Sequence, residues 1–327
     1  MLRKRVKTVL NAVPWLTTFG YVIDDFLAGR RLAEGKIETI TGSKHQSLDL
    51  EQSIQYIEEV FTDYKRYGGI DKFHGVAAEI SPGDNAGVAL LMRRDGCDRV
   101  DLIDRYYSSR NEEQQAKIYA ALAEKYGLDA LKTGGQWDER LLSGIDWKIG
   151  FSAEDYFQKL AEERGETYDF IVSRSVLEHL YNPISAVGYM VDCLKPGGRM
   201  YHKIDFRDHG MYSLKHHELT FLEVPSWLYP SLVRHSGRPN RILVHNYRTL
   251  LQEMKENNLI RDYLLLVTQL VSAKAVVPHV KFDAIDEQKR SQAVDFVEKY
   301  RKNFAAEFTN VDSRDLSISG TFLILEK

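Results

Sequence analysis

The sequence predicts a doubly wound, mostly parallel α/β sheet. Between residues 75 and 209, segments typical of buried strands alternate repeatedly with segments at helical spacing. Parallel strands need crossover connections, which are usually helices, so this alternation indicates a parallel sheet with helices on both faces. Glycines at Gly96 and Gly127 end two of the predicted helices, which supports the placement of the strands that follow.

The predicted elements follow one another in a regular order along the chain. Strands are predicted at residues 75–81 and 98–106, at the start of 146–165, from 168, before 209, and at 262–271 and 316–326. Helices are predicted at 85–96, 112–127, in the second half of 146–165, from 245, and around 291–303. Residues 1–70 are predicted to be mostly helical. We therefore expect a helical N-terminal extension over 1–70 and a main domain over 71–327, with an inserted lid at about 210–245.

Bulk composition excludes several classes of protein. The 327 residues are 43% hydrophobic and 28% charged, which is typical of a globular chain. The net charge of −3 gives no reason to expect a nucleic-acid partner. Cys97 and Cys193 lie in apolar contexts and are predicted to be free buried thiols, typical of a reducing compartment. We therefore expect a cytoplasmic protein.

The N-terminus, "MLRKRVKTVLNAVPWLTTFGYVI", supports two interpretations. It has a basic start and apolar residues but lacks the long apolar region and cleavage site of a secretory signal. It contains no run of about 18 apolar residues that could span a membrane. It is either a packing helix with a solvated basic face or an amphipathic segment that rests on an anionic membrane.

Polar residues that follow successive strands indicate a ligand cleft, because ligands of such sheets bind beyond the carboxyl ends of the strands. Glu79 and Gly83 belong to the first strand and turn, where a glycine allows close approach to the backbone. Asp104 ends the next strand, where an acid can accept hydrogen bonds from both hydroxyls of a ribose. Glu154 and Asp155 follow the third strand and could contact an adenine amine. A nucleoside-bearing ligand is therefore expected.

At these positions the chain resembles class I S-adenosylmethionine-dependent methyltransferases. The resemblance is carried by "VAAEISPGDNAG", "VDLIDR", "SAEDYF", "YDFIVSRSVLEHLYNP" and "LKPGGRMY". It implies a seven-stranded, Rossmann-like sheet that ends in an antiparallel hairpin, with S-adenosylmethionine as cofactor. The implied cofactor contacts are Glu79, Ser81, Gly83, Asp84, Asp104, Arg105, Ala153, Glu154 and Ser173. The family usually has three alternate glycines after the acid; here Ser81, Gly83 and Asn85 stand in those places, so only the middle glycine matches.

The segment after the fifth strand, "HKIDFRDHGMYSLKHHEL", holds the predicted catalytic residues. Four histidines, His202, His209, His216 and His217, occur there together with Asp205 and Asp208. Methyl transfer to a hydroxyl requires removal of a proton, for which histidine is suited. We predict His209 or His202 as the general base and Asp205 or Asp208 as the residue that orients it. The alternative is a solvated polar loop.

A divalent metal is a less expected cofactor. Some methyltransferases bind an ion through Glu-x-x-Glu-His and a later histidine. This chain has Glu178 and His179, but Ser175 stands in place of the first glutamate. The metal ligands are left unassigned.

The acceptor is expected to be a sugar, a glycan or a small hydroxylated metabolite. The lid segment "FLEVPSWLYPSLVRHSGRPNR" has Trp227 and Tyr229 beside arginines, which could stack on a sugar and pair with a phosphate or carboxylate; alternatively, its aromatic residues form the lid's own small core. A lipid-linked glycan would suit a membrane-bound N-terminus. A dinucleotide-binding oxidoreductase is disfavoured because "SPGDNA" lacks the G-x-G-x-x-G fingerprint. A non-catalytic binding module with the same fold is the remaining alternative, and the oligomeric state is not predicted.

Overall fold

The computed structural model describes residues 14–128, 131, 137 and 142–327. The basic segment at the start of the chain lies outside the described residues. The strands are β1 (Glu38–Thr39), β2 (Gly75–Ile80), β3 (Cys97–Asp104), β4 (Tyr107–Ser108), β5 (Ile145–Ile149), β6 (Tyr168–Arg174), β7 (Leu194–Asp205), β8 (Asp262–Leu270), β9 (Ala275–Val280) and β10 (Ile318–Glu326). The α-helices are α1 (Pro14–Ala33), α2 (Leu50–Gly68), α3 (Gly87–Asp95), α4 (Glu112–Tyr126), α5 (Ala153–Glu163), α6 (Pro183–Cys193), α7 (Pro230–Val233), α8 (Val244–Glu256), α9 (Glu287–Tyr300) and α10 (Ser313–Ser317).

The central sheet has eight strands in the order β5-β3-β2-β6-β7-β10-β8-β9. The first five are parallel, whereas β10 is antiparallel to both of its neighbours and β9 is antiparallel to β8. The doubly wound, mostly parallel fold is therefore confirmed. The predicted number of seven strands is wrong, because β9 adds an eighth. Its sequence "AVVPHV" contains Pro278, which cannot donate to a strand ladder and is tolerated here because β9 is an edge strand.

Helix ends are defined by the capping chemistry of their sequences. In α2 the Asp49 side chain accepts a hydrogen bond from the Gln52 N–H, and the Gln52 side chain accepts one from the Asp49 N–H. Gly69 ends this helix in the left-handed conformation, at φ 62°. Ser152 caps α5 by accepting a hydrogen bond from the Asp155 N–H. These caps fix where α5 begins, directly after β5.

Both faces of the sheet are buried. Successive residues of β6 point to opposite sides: Phe170 and Val172 pack in one apolar cluster and Ile171 in the other, all at most 3% exposed. Helix α2 covers the first of these faces with Ile57 and Tyr64. Residues 50–68 are thus packed on the sheet, and the predicted boundary at residue 70 stays a prediction.

The lid region between β7 and α8 is mostly irregular, with one 3₁₀ turn at Thr220–Glu223 and the short helix α7. Helix α1 packs against α7. Cys97 and Cys193 are both free and buried, as predicted. Among the described helices, none combines the length and the hydropathy needed to cross a bilayer.

Candidate active site

A cleft of about 1000 Å³ opens at the carboxyl ends of β2, β3 and β6. Its floor is the turn after β2 and the segments after β3, β5 and β6, and its roof comes from α1, the 36–45 segment and residues 233–238 of the lid. A second cavity of about 510 Å³ lies between α8 and β8, away from these strand ends. The larger cleft occupies the place where ligands of doubly wound sheets bind.

The turn after β2 lies close to the backbone of the 36–45 segment, which covers it. Gly83 has φ 75°, and a Cβ atom there would lie 2.6 Å from the Gly42 carbonyl oxygen. The Asp84 N–H donates to the same oxygen at 3.2 Å. Ser81 adopts the left-handed conformation, at φ 50°, and its N–H donates to the Ile103 carbonyl at 2.7 Å. Gly83 is therefore required by the fold, whereas Ser81 takes a conformation that glycine would adopt more readily.

The segment above this turn is held by a two-stranded ribbon. Strand β1 pairs in parallel with β4 through Glu38 with Tyr107 and Thr39 with Ser108. The Ser108 hydroxyl donates to the Thr41 carbonyl at 2.9 Å. The ribbon was missed by the sequence analysis because strands of two residues have no periodicity to detect.

Three carboxyl groups are buried around the turn. Asp104 is 6% exposed, and burial raises the pKa of its carboxyl group to about 6. A backbone hydrogen bond from Tyr106 acts in the opposite direction and lowers this pKa. Burial raises the pKa of Glu79 to about 8, and its Oε2 atom has no hydrogen-bond partner within the described chain. Burial likewise raises the pKa of Asp84 to about 6, although the His45 N–H donates to it. Burial thus opposes ionisation of these carboxyl groups, and a cationic or hydroxyl-bearing ligand would stabilise their charged forms.

The residues after β5 have different roles. Ala153 and Glu154 line the cleft. The Glu154 Oε1 atom accepts hydrogen bonds from the Tyr181 and Asn182 N–H groups at 2.9 and 3.1 Å, so it also positions the segment after β6. Asp155 is bonded to the Ser152 hydroxyl at the helix cap. Asp155 does not line the cleft, and its predicted contact with an adenine amine stays a prediction.

Ser173 and His202 lie inside the sheet and do not line the cleft. The Ser173 hydroxyl and His202 Nδ1 are 2.7 Å apart, and both residues are 0% exposed. Burial lowers the pKa of His202 to about 3. Ser173 on β6 and His202 on β7 lie opposite each other in these two paired strands, which explains their contact. Neither residue lines the cleft, so the geometry does not support their predicted cofactor and catalytic roles.

The predicted histidine cluster is dispersed, and only His209 reaches the cleft. His217 pairs with Glu223 and stacks on Tyr300, with ring centroids 3.6 Å apart. Asp208 accepts hydrogen bonds from the N–H groups of residues 210, 212 and 213, so it organises the loop. Asp208 therefore shapes the backbone that presents His209.

His209 meets three other polar side chains at the cleft wall. Its Nε2 atom lies 3.6 Å from Asp205 Oδ2 and 3.8 Å from Glu178 Oε1. Its ring stands edge-on to His179, with centroids 4.8 Å apart. Burial would raise the pKa of Asp205, but hydrogen bonds and charge from Arg207 lower it overall. Glu178, His179 and His209 each offer a donor atom within 4.8 Å of the others, so they could hold a metal ion.

The lid contributes arginine and histidine to the cleft, but not its predicted aromatic residues. Trp227 is 79% exposed and is not part of the cleft. Tyr229 is buried, and its hydroxyl donates to the Pro239 carbonyl at 2.8 Å. Arg241 stacks on Tyr229 and pairs with Glu307. The interpretation of the lid as its own small core therefore holds for Tyr229.

Helix α1 holds the lid over the cleft through hydrogen bonds and an ion pair. Asp25 is 3% exposed and accepts hydrogen bonds from the N–H groups of His235 and Ser236, both at 2.8 Å. The Tyr21 hydroxyl donates to the Met211 carbonyl at 2.7 Å. Arg238 pairs with Asp24. These partners are about 200 residues apart, so no local pattern could have predicted them.

The chain matches one protein-family model and has distant likenesses to solved structures. Residues 55–259 match the family described as methyltransferase domain. Solved structures that resemble the chain include a candidate sarcosine dimethylglycine methyltransferase from Galdieria sulphuraria (14% identity, 85% of this chain and 86% of that one, TM-score 0.40). Others are phosphoethanolamine N-methyltransferase 2 from Haemonchus contortus (14%, 82% and 52%, TM-score 0.41) and N-methyltransferase NodS from Bradyrhizobium japonicum WM9 (13%, 83% and 86%, TM-score 0.36).

These structural likenesses are weak and carry no information on the substrate. A comparison with curated proteins gave no match. The family match spans more than half of the 327 residues and includes the turn after β2, Asp104 and the segment after β6. The chain therefore belongs to the methyltransferase domain family, and the resemblance to class I methyltransferases is confirmed.

Proposed function

We propose that the protein transfers the methyl group of S-adenosylmethionine to a hydroxyl oxygen of an acceptor bound in the same cleft. The observation that carries the proposal is the set of three buried carboxyl groups, Glu79, Asp84 and Asp104, around the Gly83 turn. Asp104 would accept hydrogen bonds from the ribose hydroxyls, and Glu79 would balance the ammonium group of the methionine part. Gly83 allows the 36–45 segment to lie directly against the turn, which closes the cofactor side of the cleft.

The reaction is an in-line displacement at carbon. The acceptor oxygen forms a bond to the methyl carbon while the bond from that carbon to the sulfonium breaks, and S-adenosylhomocysteine leaves as a neutral thioether. The acceptor hydroxyl gives its proton to the His209 imidazole, beside which the Asp205 carboxylate lies. Of the predicted catalytic residues, His209 lines the cleft, and Asp205 lies beside it. Alignment of cofactor and acceptor in the cleft would supply much of the rate enhancement.

The acceptor is proposed to be a sugar, a glycan or a small hydroxylated metabolite that bears a phosphate or carboxylate. Of the five arginines that line the cleft, Arg174 and Arg238 form ion pairs within the protein, which leaves Arg31, Arg105 and Arg234. None of them has an ion pair among the described residues, although Arg234 lies over the Tyr181 ring. Guanidinium groups bind phosphate and carboxylate through paired hydrogen bonds, so these side chains favour an anionic acceptor. A non-catalytic binding module would not require these arginines in the cleft.

A peripheral membrane contact is proposed for the outer face of α1. Five large apolar side chains lie there at helical spacing, with exposures from 48% to 69%: Trp15, Phe19, Ile23, Phe26 and Leu27. The 13 residues before the helix contain four lysines or arginines and no acid. Apolar surface beside positive charge suits the interface of a bilayer that contains anionic lipid. The inner face of the same helix borders the cleft, so a lipid-linked acceptor could enter there.

Replacement of Asp104 tests the cofactor site. We expect wild-type protein to bind S-adenosylhomocysteine and Asp104→Asn to bind it about 10- to 100-fold more weakly, because hydrogen bonds to a charged carboxylate are lost. Calorimetric titration measures both affinities. Asp98→Asn, an exposed change on the same strand, should leave the affinity unchanged. No heat from folded wild-type protein would contradict the proposal, as would equal affinities in the two variants.

The buried charge of Glu79 predicts a pH-dependent gain in stability on its removal. Its pKa is raised from 4.5 to about 8 in the folded protein, so the ligand-free protein loses stability as the pH rises through this range. Glu79→Gln should increase the free energy of unfolding by about 4 kcal/mol at pH 8 and by about 1 kcal/mol or less at pH 5. Urea denaturation at the two pH values measures this. The exposed change Glu124→Gln is the control, and a gain that is equal at both pH values would contradict the account.

Vesicle flotation tests the membrane contact. Full-length protein should bind vesicles that contain phosphatidylglycerol and should not bind pure phosphatidylcholine vesicles. The double change Trp15→Ser/Phe19→Ser should reduce binding about tenfold or more, because two large apolar side chains no longer enter the interface. Trp227→Ser, which removes an exposed side chain of the lid, should have no effect. Concentration-dependent dimerisation abolished by the double change, without vesicle binding, would assign the face to a second copy of the chain.

A further inference from the structure

We infer that Glu178, His179 and His209 form a divalent metal site in the wall of the cleft, where the ion would bind the acceptor hydroxyl. The inference rests on the proposed function for the role of the ion, but not for the site itself. It reverses the expectation from the sequence, in which Ser175 in place of a glutamate made a metal less expected. Ser175 lines the cleft without completing the set, and the three remaining side chains converge without it.

The donor atoms are close to the spacing that one ion requires. All three lie within 4.8 Å of one another, and His209 Nε2 is already 3.8 Å from Glu178 Oε1. Ligands at about 2.1 Å from an ion can be no more than about 4.2 Å apart. The set therefore has to close by roughly half an ångström, which side-chain rotation can provide.

The Glu178 carboxylate has no arginine or lysine ion-pair partner among the described residues. Its side chain is 2% exposed, and neither carboxylate oxygen has a hydrogen-bond partner among the described residues. Burial of a carboxylate without partners is costly, so such groups are normally paired or bound to metal. No arginine or lysine of the described chain forms an ion pair with it: Arg207, whose charge acts on Glu178 from a distance, is paired with Asp205, and His209 Nε2 lies 3.8 Å away. A bound cation would supply the missing counter-charge.

His179 is oriented as a metal ligand would be. Its Nδ1 atom lies 2.7 Å from the Gly237 carbonyl oxygen, which can only accept a hydrogen bond. Nδ1 must therefore carry the hydrogen, which leaves the Nε2 lone pair available for coordination. A backbone carbonyl that holds the far nitrogen of the ring is the usual outer partner of a ligating histidine. Because Gly237 belongs to the lid, occupancy of the site is coupled to lid position.

The site remains open toward the acceptor. His209 is 32% exposed and borders the cleft that holds the proposed cofactor site. Two imidazoles and one carboxylate suit Mn²⁺, Fe²⁺, Co²⁺ or Zn²⁺ and leave coordination positions free. An acceptor hydroxyl in such a position would lose its proton to water more readily, and its oxygen would then attack the methyl carbon. The ion keeps its oxidation state, and His209 acts as a ligand in place of a free base.

Cobalt titration of the full-length protein, stripped with a chelator, tests the site without an activity assay. We expect one Co²⁺ per chain, with visible d–d absorption and displacement by Zn²⁺. Glu178→Gln and His179→Asn should each weaken Co²⁺ binding by about 100-fold or more, since each removes a direct ligand. His74→Ala removes an exposed histidine remote from the cleft and should bind Co²⁺ like wild type. Circular dichroism verifies the fold of each variant.

Titration with S-adenosylhomocysteine in the same samples separates this inference from the proposed function. If S-adenosylhomocysteine binds but Co²⁺ and Zn²⁺ do not, or if Glu178→Gln binds Co²⁺ as wild type does, the metal site is overturned and the proposed function stands. If Co²⁺ binds as expected but S-adenosylhomocysteine does not, the site is supported and its role in methyl transfer is overturned.

Discussion

The burial of carboxyl groups at the ends of parallel strands is the constraint on which the cleft depends. Glu79, Asp84 and Asp104 lie at the ends of β2 and β3, and Glu178 follows β6. All four carboxyl groups are less than 10% exposed. Ionised carboxylates in such places are unfavourable without partners, so the ligand-free protein carries a cost that ligands would remove. Stability is thus given up at the place where binding is needed.

The same constraint explains how the cleft is divided. The carboxyl groups at the ends of β2 and β3 surround the Gly83 turn. This arrangement suits the cofactor. The carboxyl group after β6 faces two histidines, which suits a metal and an acceptor. Helix α1 and the lid, joined through Asp25, cover both halves. A cofactor and an acceptor held under one cover would be aligned and shielded from water, as methyl transfer requires.

The sheet and the strand-end acids were predictable from the sequence because each depends on a local pattern. Apolar strands, glycine stops and the acids at residues 79 and 104 lie within short segments whose order implies the topology. The roles of Ser173 and His202 could not be predicted, because their pairing depends on the register between β6 and β7. A side chain at the end of a strand can point into the cleft or into the core. Sequence spacing alone does not predict which of these two directions it takes. The Asp25 contacts with the lid and the β1–β4 ribbon likewise join segments far apart in the chain.

The measurement that tests the account most directly is a crystal structure of the protein with S-adenosylhomocysteine. We expect the ribose hydroxyls on the Asp104 carboxylate, the ammonium group near Glu79, and the sulfur facing the wall formed by His209 and Glu178. Ligand bound elsewhere, or density at this turn with the ribose away from Asp104, would contradict the claim that buried strand-end carboxylates hold the cofactor.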